Sequence, residues 1–254
     1  MDIDVESFIR DGFVRVSEAF PRSVADEGRA LLWEMSGCSP DDPSTWTKPV
    51  IRLYDQGQPP FREAAQSPRL HEAYDALVGR DRWVPRKTVG GSYAVRFPLP
   101  DAPGDDGWHI ESSFPGPNPD DYLSYRVNLT SRGRALLVLF LFSDVGEDDA
   151  PTRVRVGSHL DVPPLLEPAG DDGLAFMDIA GKAVAASEHR DVAFATGRAG
   201  DVYLCHPFLV HAAQSHQGRN VKFMAQPGLE PAVPLSVDGP SPVERAIKLG
   251  LTSH

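Results

Sequence analysis

Short apolar segments constrain the fold of this chain more than any other feature. From about Trp83 onward, runs rich in Val, Leu, Tyr and Phe alternate with clusters of Pro, Gly and Asp. Such spacing is typical of antiparallel sandwiches and barrels, because each run is long enough for one strand and each cluster favours a turn. The candidate strands are residues 92–97, 108–112, 125–129, 135–142, 153–156, 191–195, 202–205, 209–213 and 221–226.

The N-terminal part has helical periodicity instead. Val24, Leu31 and Met35 recur at the spacing of one helix face, and Gly37 is a natural stop signal, so the pattern predicts a helix from Ser23. Two more helices are predicted, one near the middle of the N-terminal part and one near the end of the chain, at residues 68–77 and 241–248.

Two long segments lack clear periodicity. Residues 39–60 are rich in Pro, Asp and Gln, and we interpret them as a surface loop or lid, whereas residues 157–182 have the character of an insertion. Because sandwiches and barrels of this length commonly form one unit, a single domain is expected. Its expected parts are a helical layer with the lid (1–82), a β core (83–228) and a tail with a helix (229–254), together spanning 1–254.

Charge and composition narrow the classes of partner. The chain has 25 Lys and Arg against 36 Asp and Glu, a net charge of −11. This charge would repel a phosphate backbone or an anionic membrane surface, so no nucleic-acid or membrane partner is expected. The longest apolar run, residues 135–142, is far shorter than the roughly 20 residues of a membrane-spanning helix. With only 2 Cys and no secretion signal at the N-terminus, a cytoplasmic location is expected.

An H-x-E pair is the strongest chemical signal. His109 and Glu111 lie two residues apart on a predicted strand. Since alternate side chains of a strand point the same way, the imidazole and the carboxylate would converge. Two imidazoles and one carboxylate commonly hold non-haem iron and leave its other positions open. Alone, the pair is also compatible with a polar strand face in water.

A third ligand must come from a distant segment, and the stretch after residue 205 offers three imidazoles. His211 is the best candidate, because it lies in an apolar run where an unpartnered imidazole would be costly to bury. His206 precedes a proline, which marks an edge or a bend, and His216 lies in a turn-like sequence. His159, in "RVGSHLD", is better explained as structural.

Four segments together resemble a known family. They are "ESFIRDGFVRV", "GWHIESSF", "EDDAPTRVRVGSHLDV" and "LVHAAQSHQGRNVKF", in that order. In order and spacing they are similar to the phytanoyl-CoA dioxygenase-like branch of the iron(II)/2-oxoglutarate-dependent oxygenases. The resemblance implies a mainly β, α+β fold with a double-stranded β-helix (jelly-roll, cupin-like) core and flanking N-terminal helices. It also implies Fe(II) held by His109, Glu111 and His211, with 2-oxoglutarate and O2 as cosubstrates.

The resemblance further implies a basic residue that holds the distal carboxylate of 2-oxoglutarate, about eleven positions after the second histidine. That position is Lys222, where the family usually has arginine. Lysine neutralises a carboxylate but cannot form the planar two-bond fork. Arg219 is the competitor, and strand alternation would put the two on opposite faces. We favour Lys222, with Met224 and Gln226 as its inward neighbours.

Other side chains are candidates for the same pocket. Arg96, Asn128 and Thr152 are candidate cosubstrate contacts, and Trp108 and Phe114, which flank the H-x-E pair, are candidate substrate contacts. Aromatic core packing is the commoner use of such residues, and a surface ion pair is an equal alternative for Arg96.

The resemblance also bears on the reaction. Halogenating relatives have a small residue at the carboxylate position, so Glu111 favours hydroxylation or a related oxidation of a small molecule. Tailoring of a specialised metabolite is the preferred hypothesis, for a monomer or homodimer. Two alternatives stay open: a jelly-roll metalloprotein that acts as an isomerase or lyase without 2-oxoglutarate, and a non-catalytic binding module.

Overall fold

Antiparallel strands and short helices make up the computed structural model, which describes residues 3–55 and 57–252. The helices within these residues are α1 (Val5–Asp11), α2 (Arg22–Ser36), α3 (Pro59–Ala65), α4 (Pro68–Val78), α5 (Pro163–Leu166), α6 (Phe176–Ala186) and α7 (Pro242–Thr252). The strands are β1 (Phe13–Val16), β2 (Val50–Leu53), β3 (Ser92–Arg96), β4 (Arg126–Val127), β5 (Leu136–Leu141), β6 (Thr152–Arg155), β7 (Leu174–Ala175), β8 (Val192–Ala195), β9 (Val202–Cys205), β10 (His211–Ala212), β11 (Lys222–Gln226) and β12 (Gly228–Leu229).

The larger sheet has seven strands. Its order is β1-β9-β5-β11-β3-β2, and β12 pairs with β5 beside this path. A second sheet has the order β10-β6-β8, and β4 pairs with β7 in a separate two-stranded ribbon. Every strand pairing is antiparallel, from β1 against β9 to β6 against β8.

β5 explains how the two sheets and the helices fit together. Leu137, Leu139 and Leu141 point to one side, where they pack with Val154 of the smaller sheet and with Met224. The intervening β5 side chains point to the other side and pack with the helices α2, α3 and α4. Because successive strand residues face opposite ways, a strand covered on both faces is apolar throughout, as the sequence of β5 is.

The helical layer rests closely on the larger sheet. Gly28 of α2 lies against Phe142 so tightly that a Cβ at this position would be 2.8 Å from the aromatic ring. Gly37 ends α2 in the left-handed conformation, at φ 70°, which confirms the predicted stop. Ser67 caps α4, its Oγ accepting a hydrogen bond from the backbone N–H of Leu70.

Several predicted elements are confirmed within one or two residues, including α2, α4, β3, β8, β9 and β11. The lid prediction is wrong in part, because residues 50–53 form the edge strand β2 on β3 and the helix α3 begins at Pro59. The strand predicted at 108–112 is reduced to a single bridge between His109 and His211. The segment read as an insertion contains α5, β7 and most of α6.

The arrangement of facing antiparallel sheets is consistent with a jelly-roll core. β1 and β2 come from the N-terminal part and join the larger sheet, so that part contributes strands as well as helices. Within residues 3–55 and 57–252, no helix has the length and apolar character needed to span a bilayer.

Candidate metal centre

The two imidazoles predicted as ligands are brought together by the main chain. The His109 N–H donates to the His211 carbonyl at 3.0 Å, and the His211 N–H donates to the His109 carbonyl at 2.9 Å. Their ring centroids are 4.4 Å apart. β10 places His211 beside β6, while the loop before His109 brings that residue onto the same edge.

Hydrogen bonds fix how both rings can act. His109 Nδ1 lies 2.8 Å from the Gly107 carbonyl oxygen, and His211 Nδ1 lies 3.0 Å from that of Leu209. A carbonyl oxygen only accepts, so both Nδ1 atoms carry a proton, and in the neutral form of either ring the lone pair is on Nε2. Burial, together with the neighbouring His211 imidazole, lowers the pKa of His109 to about 4. His109 is therefore neutral at pH 7, as a metal ligand must be.

Glu111 completes the group. Its side chain is buried, with Oε1 3.4 Å from His211 Nε2 and Oε2 3.1 Å from Arg134 Nη1. Gln226 Nε2 donates to Glu111 Oε1 at 3.1 Å and lies 3.3 Å from His211 Nε2. Burial acts to raise the pKa of Glu111, but the Arg134 guanidinium and the two imidazoles outweigh it and hold the pKa well below its usual range.

The donor set fits a transition-metal ion. One ligand atom from each of His109, Glu111 and His211 lies within 4.8 Å of the others. Metal–nitrogen and metal–oxygen bonds of about 2.0–2.2 Å place neighbouring ligand atoms roughly 3–4 Å apart, so small side-chain adjustments suffice. Two imidazoles with free Nε2 atoms and one carboxylate are also the ligand types of the facial iron site.

The three side chains line a cavity of about 670 Å³. This volume lies within the range of small-molecule sites, which is roughly 300–1,000 Å³. Arg52 of β2 and Tyr54 just after it line the cavity, and Tyr122 lines it from the segment between β3 and β4. Further lining residues are Gly91, Ser92, Arg96, Asp105, Arg134, Thr152, Ala213, Met224 and Gln226.

Basic side chains form one wall of this cavity. Arg96 is buried and binds Asp105 through two parallel bonds of 2.9 and 2.8 Å. Arg52 also pairs with Asp105. Burial acts to raise the pKa of Asp105, and the guanidinium groups of Arg96 and Arg52 outweigh it, so the pKa is lowered. Asp105 is therefore a charged carboxylate at pH 7.

Lys222 lies directly across from Arg96 in the β11–β3 register, so both side chains share the inner face of the sheet. Lys222 is 1% exposed, and its Nζ donates to the Ala150 carbonyl at 2.7 Å. Burial, reinforced by the Arg96 guanidinium, lowers the pKa of Lys222 well below its ordinary value. Arg219 is exposed in the preceding turn. Of the two, Lys222 is the one placed beside the cavity wall.

The other predicted contacts divide between cavity and scaffold. Thr152 lines the cavity and donates a hydrogen bond to Met224 Sδ at 3.5 Å. The buried Asn128 instead braces a turn, since its Oδ1 accepts from the Arg132 N–H at 3.0 Å and its Nδ2 donates to the Asp171 carbonyl at 3.2 Å. No cavity contact is present for Asn128 in the described chain.

The two predicted aromatic contacts lie outside the cavity in the part of the chain that the structure describes. Trp108 packs between two guanidinium groups, those of Arg153 and Arg155, at 4.8 and 4.7 Å from its ring. Phe114 is buried under Arg132, whose guanidinium is 4.0 Å from the ring centroid. Trp108 flanks a ligand but faces away from the cavity, because neighbouring residues of an extended segment point to opposite sides.

The remaining histidines of the candidate segments are structural. His159 and His206 are fully buried with ring centroids 4.9 Å apart. His159 Nε2 donates to the Ile9 carbonyl, and His206 Nε2 lies 3.2 Å from that of Val243, so the pair ties α1 and α7 to the core. His216 bonds within its own turn, to the Asn220 carbonyl.

Three important cavity residues gave no signal in the sequence. Arg134 precedes an apolar strand, Asp105 is one of several acidic residues in a loop, and Tyr122 lies in a loop without periodicity. Arg52 and Tyr54 lie in the segment interpreted as a lid, and their sequence context does not mark them as cavity residues. Gln226 could be found, because it has the same parity as Lys222 on β11.

No protein-family model and no curated protein sequence matches the chain. Solved structures do match. SnoN, an α-ketoglutarate (2-oxoglutarate)-dependent epimerase from nogalamycin biosynthesis solved with Fe3+, α-ketoglutarate and nogalamycin RO, is 17% identical, with 89% of this chain and 81% of that chain covered and a TM-score of 0.59. HygX from Streptomyces hygroscopicus, solved with nickel, 2-oxoglutarate and hygromycin B, is 17% identical over 89% of this chain and 85% of that chain, with a TM-score of 0.55.

AviO1 from Streptomyces viridochromogenes Tue57 is 20% identical, with 93% of this chain and 96% of that chain covered and a TM-score of 0.56. At such identities the likeness shows a shared fold, and membership in the phytanoyl-CoA dioxygenase-like branch is not confirmed. The described chain thus shares its fold with SnoN and HygX.

Proposed function

We propose that this protein is a non-haem iron(II)- and 2-oxoglutarate-dependent dioxygenase with a jelly-roll core. The observation that carries the proposal is the convergence of His109, Glu111 and His211, with ligand atoms within 4.8 Å of one another, inside a cavity lined by the buried Arg96, whose cross-strand neighbour is the buried Lys222. A bound metal ion would explain why His109, Glu111 and His211 converge, and a dicarboxylate cosubstrate would explain the basic residues Arg96 and Lys222.

His109, Glu111 and His211 would hold iron(II), which together with 2-oxoglutarate supplies the oxidising power drawn from O2. The protein's own residues set the geometry. The carbonyls of Gly107 and Leu209 orient the two imidazoles, and their bonds to Nδ1 keep each Nε2 turned towards Glu111. Arg134 holds Glu111 Oε2, which leaves Oε1 on the side of the imidazoles.

Lys222 and Arg96 would bind the distal carboxylate of 2-oxoglutarate, with Thr152 as a hydrogen-bond donor beside them. Lys222 is a fully buried amine whose hydrogen-bond partner within the described chain is one carbonyl oxygen. A buried ammonium is costly unless a negative charge compensates it, so its position favours an anionic ligand. Arg219 is excluded from this role in the proposal by its exposure.

The preferred reaction is hydroxylation of a small organic molecule in specialised metabolism. Glu111 fills the position that halogenation would require to be small, and the cavity volume suits a small molecule. The relatives SnoN and HygX were solved with nogalamycin RO and hygromycin B. Because SnoN is an epimerase, the shared fold alone does not select a reaction, and hydroxylation is proposed here from Glu111 and the cavity volume. We also propose that the protein forms a single domain, is located in the cytoplasm and is a monomer or homodimer.

Anaerobic titration tests the function directly. Iron(II) is added to the protein first and 2-oxoglutarate second. The expected result is a weak visible charge-transfer band at roughly 500 nm, because 2-oxoglutarate chelates a ferrous centre that has open positions. Succinate, which lacks the 2-oxo group, is the matched control and gives no band. Release of succinate from 2-oxoglutarate under air, coupled to candidate metabolites, then identifies the substrate.

The second candidate function is a metal-dependent isomerase or lyase that uses no 2-oxoglutarate. It is favoured by Lys222 in place of the usual arginine and by the occupation of Arg96 by Asp105. This candidate predicts normal iron binding without the visible band. A binding module without catalysis predicts neither a band nor turnover, and the complete donor set argues against it.

A further inference from the structure

Arg96 already holds a carboxylate in the cavity. Its Nη1 and Nη2 atoms bind the two oxygens of Asp105, and its Nε atom is buried with no hydrogen-bond partner in the described chain. Lys222 is its cross-strand neighbour, and Arg52 reaches the same carboxylate from β2. Two guanidinium groups thus hold one aspartate, beside Lys222, where the proposed function places a dicarboxylate ligand.

Asp105 does not belong to the sheet. It is part of the loop at residues 98–107, which leaves β3 and leads to His109, and its side chain is 22% exposed. The loop contains Pro98, Pro100 and Pro103, and Gly104 has a φ of 76°. The aspartate therefore reaches inward from a surface loop without repeating hydrogen bonds, whereas Arg96 and Lys222 are fixed on paired strands.

We propose that Asp105 is a resident carboxylate that occupies the anion subsite at Arg96 and is exchanged for the distal carboxylate of 2-oxoglutarate. The identity of this ligand rests on the proposed function. One guanidinium edge binds one carboxylate through two parallel bonds, so Asp105 and the ligand compete for the same donors. Arg52 is half-exposed on the edge strand and can follow Asp105 outward.

Competition of this kind sets the apparent affinity. If a ligand binds only when Asp105 has left Arg96, its apparent dissociation constant is the intrinsic constant divided by the fraction of molecules in which Asp105 is away. A ligand held only by its distal carboxylate then needs a higher concentration to displace the loop than a ligand held at both ends. The same loop carries the Gly107 carbonyl that orients His109, so exchange at Arg96 would also be felt at the metal-binding imidazole.

The test compares Asp105→Asn with Asp106→Asn, whose exposed side chain is next in sequence and faces solvent. Two probes are titrated by calorimetry: glutarate into metal-free protein, and 2-oxoglutarate into the iron(II) protein without oxygen. Removing the competitor is expected to tighten both dissociation constants by the same factor, on the order of tenfold. Asp106→Asn should leave both unchanged. An unchanged or weaker affinity for glutarate in Asp105→Asn overturns the inference.

Hydrogen exchange of the unaltered protein gives a second readout that does not depend on the variant. Glutarate is expected to speed exchange of the amides at residues 98–107, because the loop is released; slower or unchanged exchange there overturns the inference. The two proposals fail separately. If Asp105→Asn binds glutarate more tightly but the visible band is absent, the oxygenase function is wrong and the displacement of Asp105 is supported. If the band is present but Asp105→Asn gains no affinity, the oxygenase function is supported and the displacement of Asp105 is wrong.

Discussion

Arg134 and Glu111 form an ion pair of 3.1 Å at the base of the cavity, with the glutamate side chain 9% and the arginine side chain 18% exposed. Arg134 is held in turn by its Nε bond to the Ser112 carbonyl at 2.9 Å. The guanidinium therefore has a fixed position, and it selects which carboxylate oxygen of Glu111 faces the imidazoles.

Removal of Arg134 is expected to destabilise the protein through Glu111. In Arg134→Met the buried carboxylate loses its counter-charge, and the free energy of unfolding should fall by about 3 kcal/mol, the usual cost of breaking such a pair. Urea denaturation of metal-free protein measures this loss. The double variant Arg134→Met/Glu111→Gln should recover at least about 1 kcal/mol relative to the sum of the single variants. Additive losses would mean that the pair contributes no coupling.

Metal binding should depend on each imidazole. His109→Ala and His211→Ala are each expected to weaken iron(II) binding by more than about 100-fold, since even residues behind the ligands contribute factors of that size. The exposed His189→Ala is the matched control and should bind iron as the unaltered protein does.

Iron binding can also be measured through the stability of the protein. Iron(II) at about 100 times its dissociation constant should add roughly 2.7 kcal/mol to the free energy of unfolding, and a chelator should remove it. The two alanine variants should show no such gain in their thermal midpoints. A normal gain in either variant would contradict the assignment of that histidine.

Lys222 and Arg219 can be distinguished by substitution. Lys222→Met keeps an unbranched side chain and removes the basic nitrogen, so 2-oxoglutarate binding to the iron(II) protein should weaken by about tenfold or more. The metal-free protein should keep or gain stability, because a buried amine, costly to desolvate, is replaced by an apolar group. Arg219→Met, at an exposed position, should alter neither quantity. The reverse pattern would assign the ligand to Arg219.

Stability should fall in mild acid because of His159. Burial, opposed only in part by the hydrogen bond to Ile9, lowers the pKa of this histidine to about 4 in the folded protein. The unfolded chain takes up a proton at an ordinary pKa of about 6.5, so the folded state loses about 3 kcal/mol between pH 6.5 and pH 4 from this group.

Urea denaturation at several pH values measures this slope. His206 is also buried, with a pKa lowered by burial and by His159, and it should add to the effect. His159→Gln removes one titrating group and should flatten the dependence even if its stability at pH 7 is lower. An unaltered slope in His159→Gln would show that the folded state already accommodates the charge.

Sequence patterns predicted the parts of the fold that depend on local alternation. β9 was predicted with its observed limits, and the parity of β11 placed Lys222, Met224 and Gln226 on the inner face. β2 was missed, because its four residues stand between turn-rich segments and are specified by pairing with β3 far along the chain. No local period signals such an edge strand.

The three candidate metal-binding residues could be proposed from the sequence, whereas the residues of the surrounding cavity wall could not. His109, Glu111 and His211 carry the ligand chemistry in their own residue types and order. The ion pairs of Arg134 with Glu111 and of Arg96 with Asp105 arise only when loops close over the sheets. A single charged residue in a loop gives no indication of which distant partner it will meet.

The mutual backbone bonds between His109 and His211 have an evolutionary consequence. The separation of these two imidazoles is dictated by main-chain atoms that every amino acid possesses. Exposed cavity side chains such as Tyr54 and Tyr122 can therefore be substituted without disturbing the backbone bonds that hold the two histidines side by side.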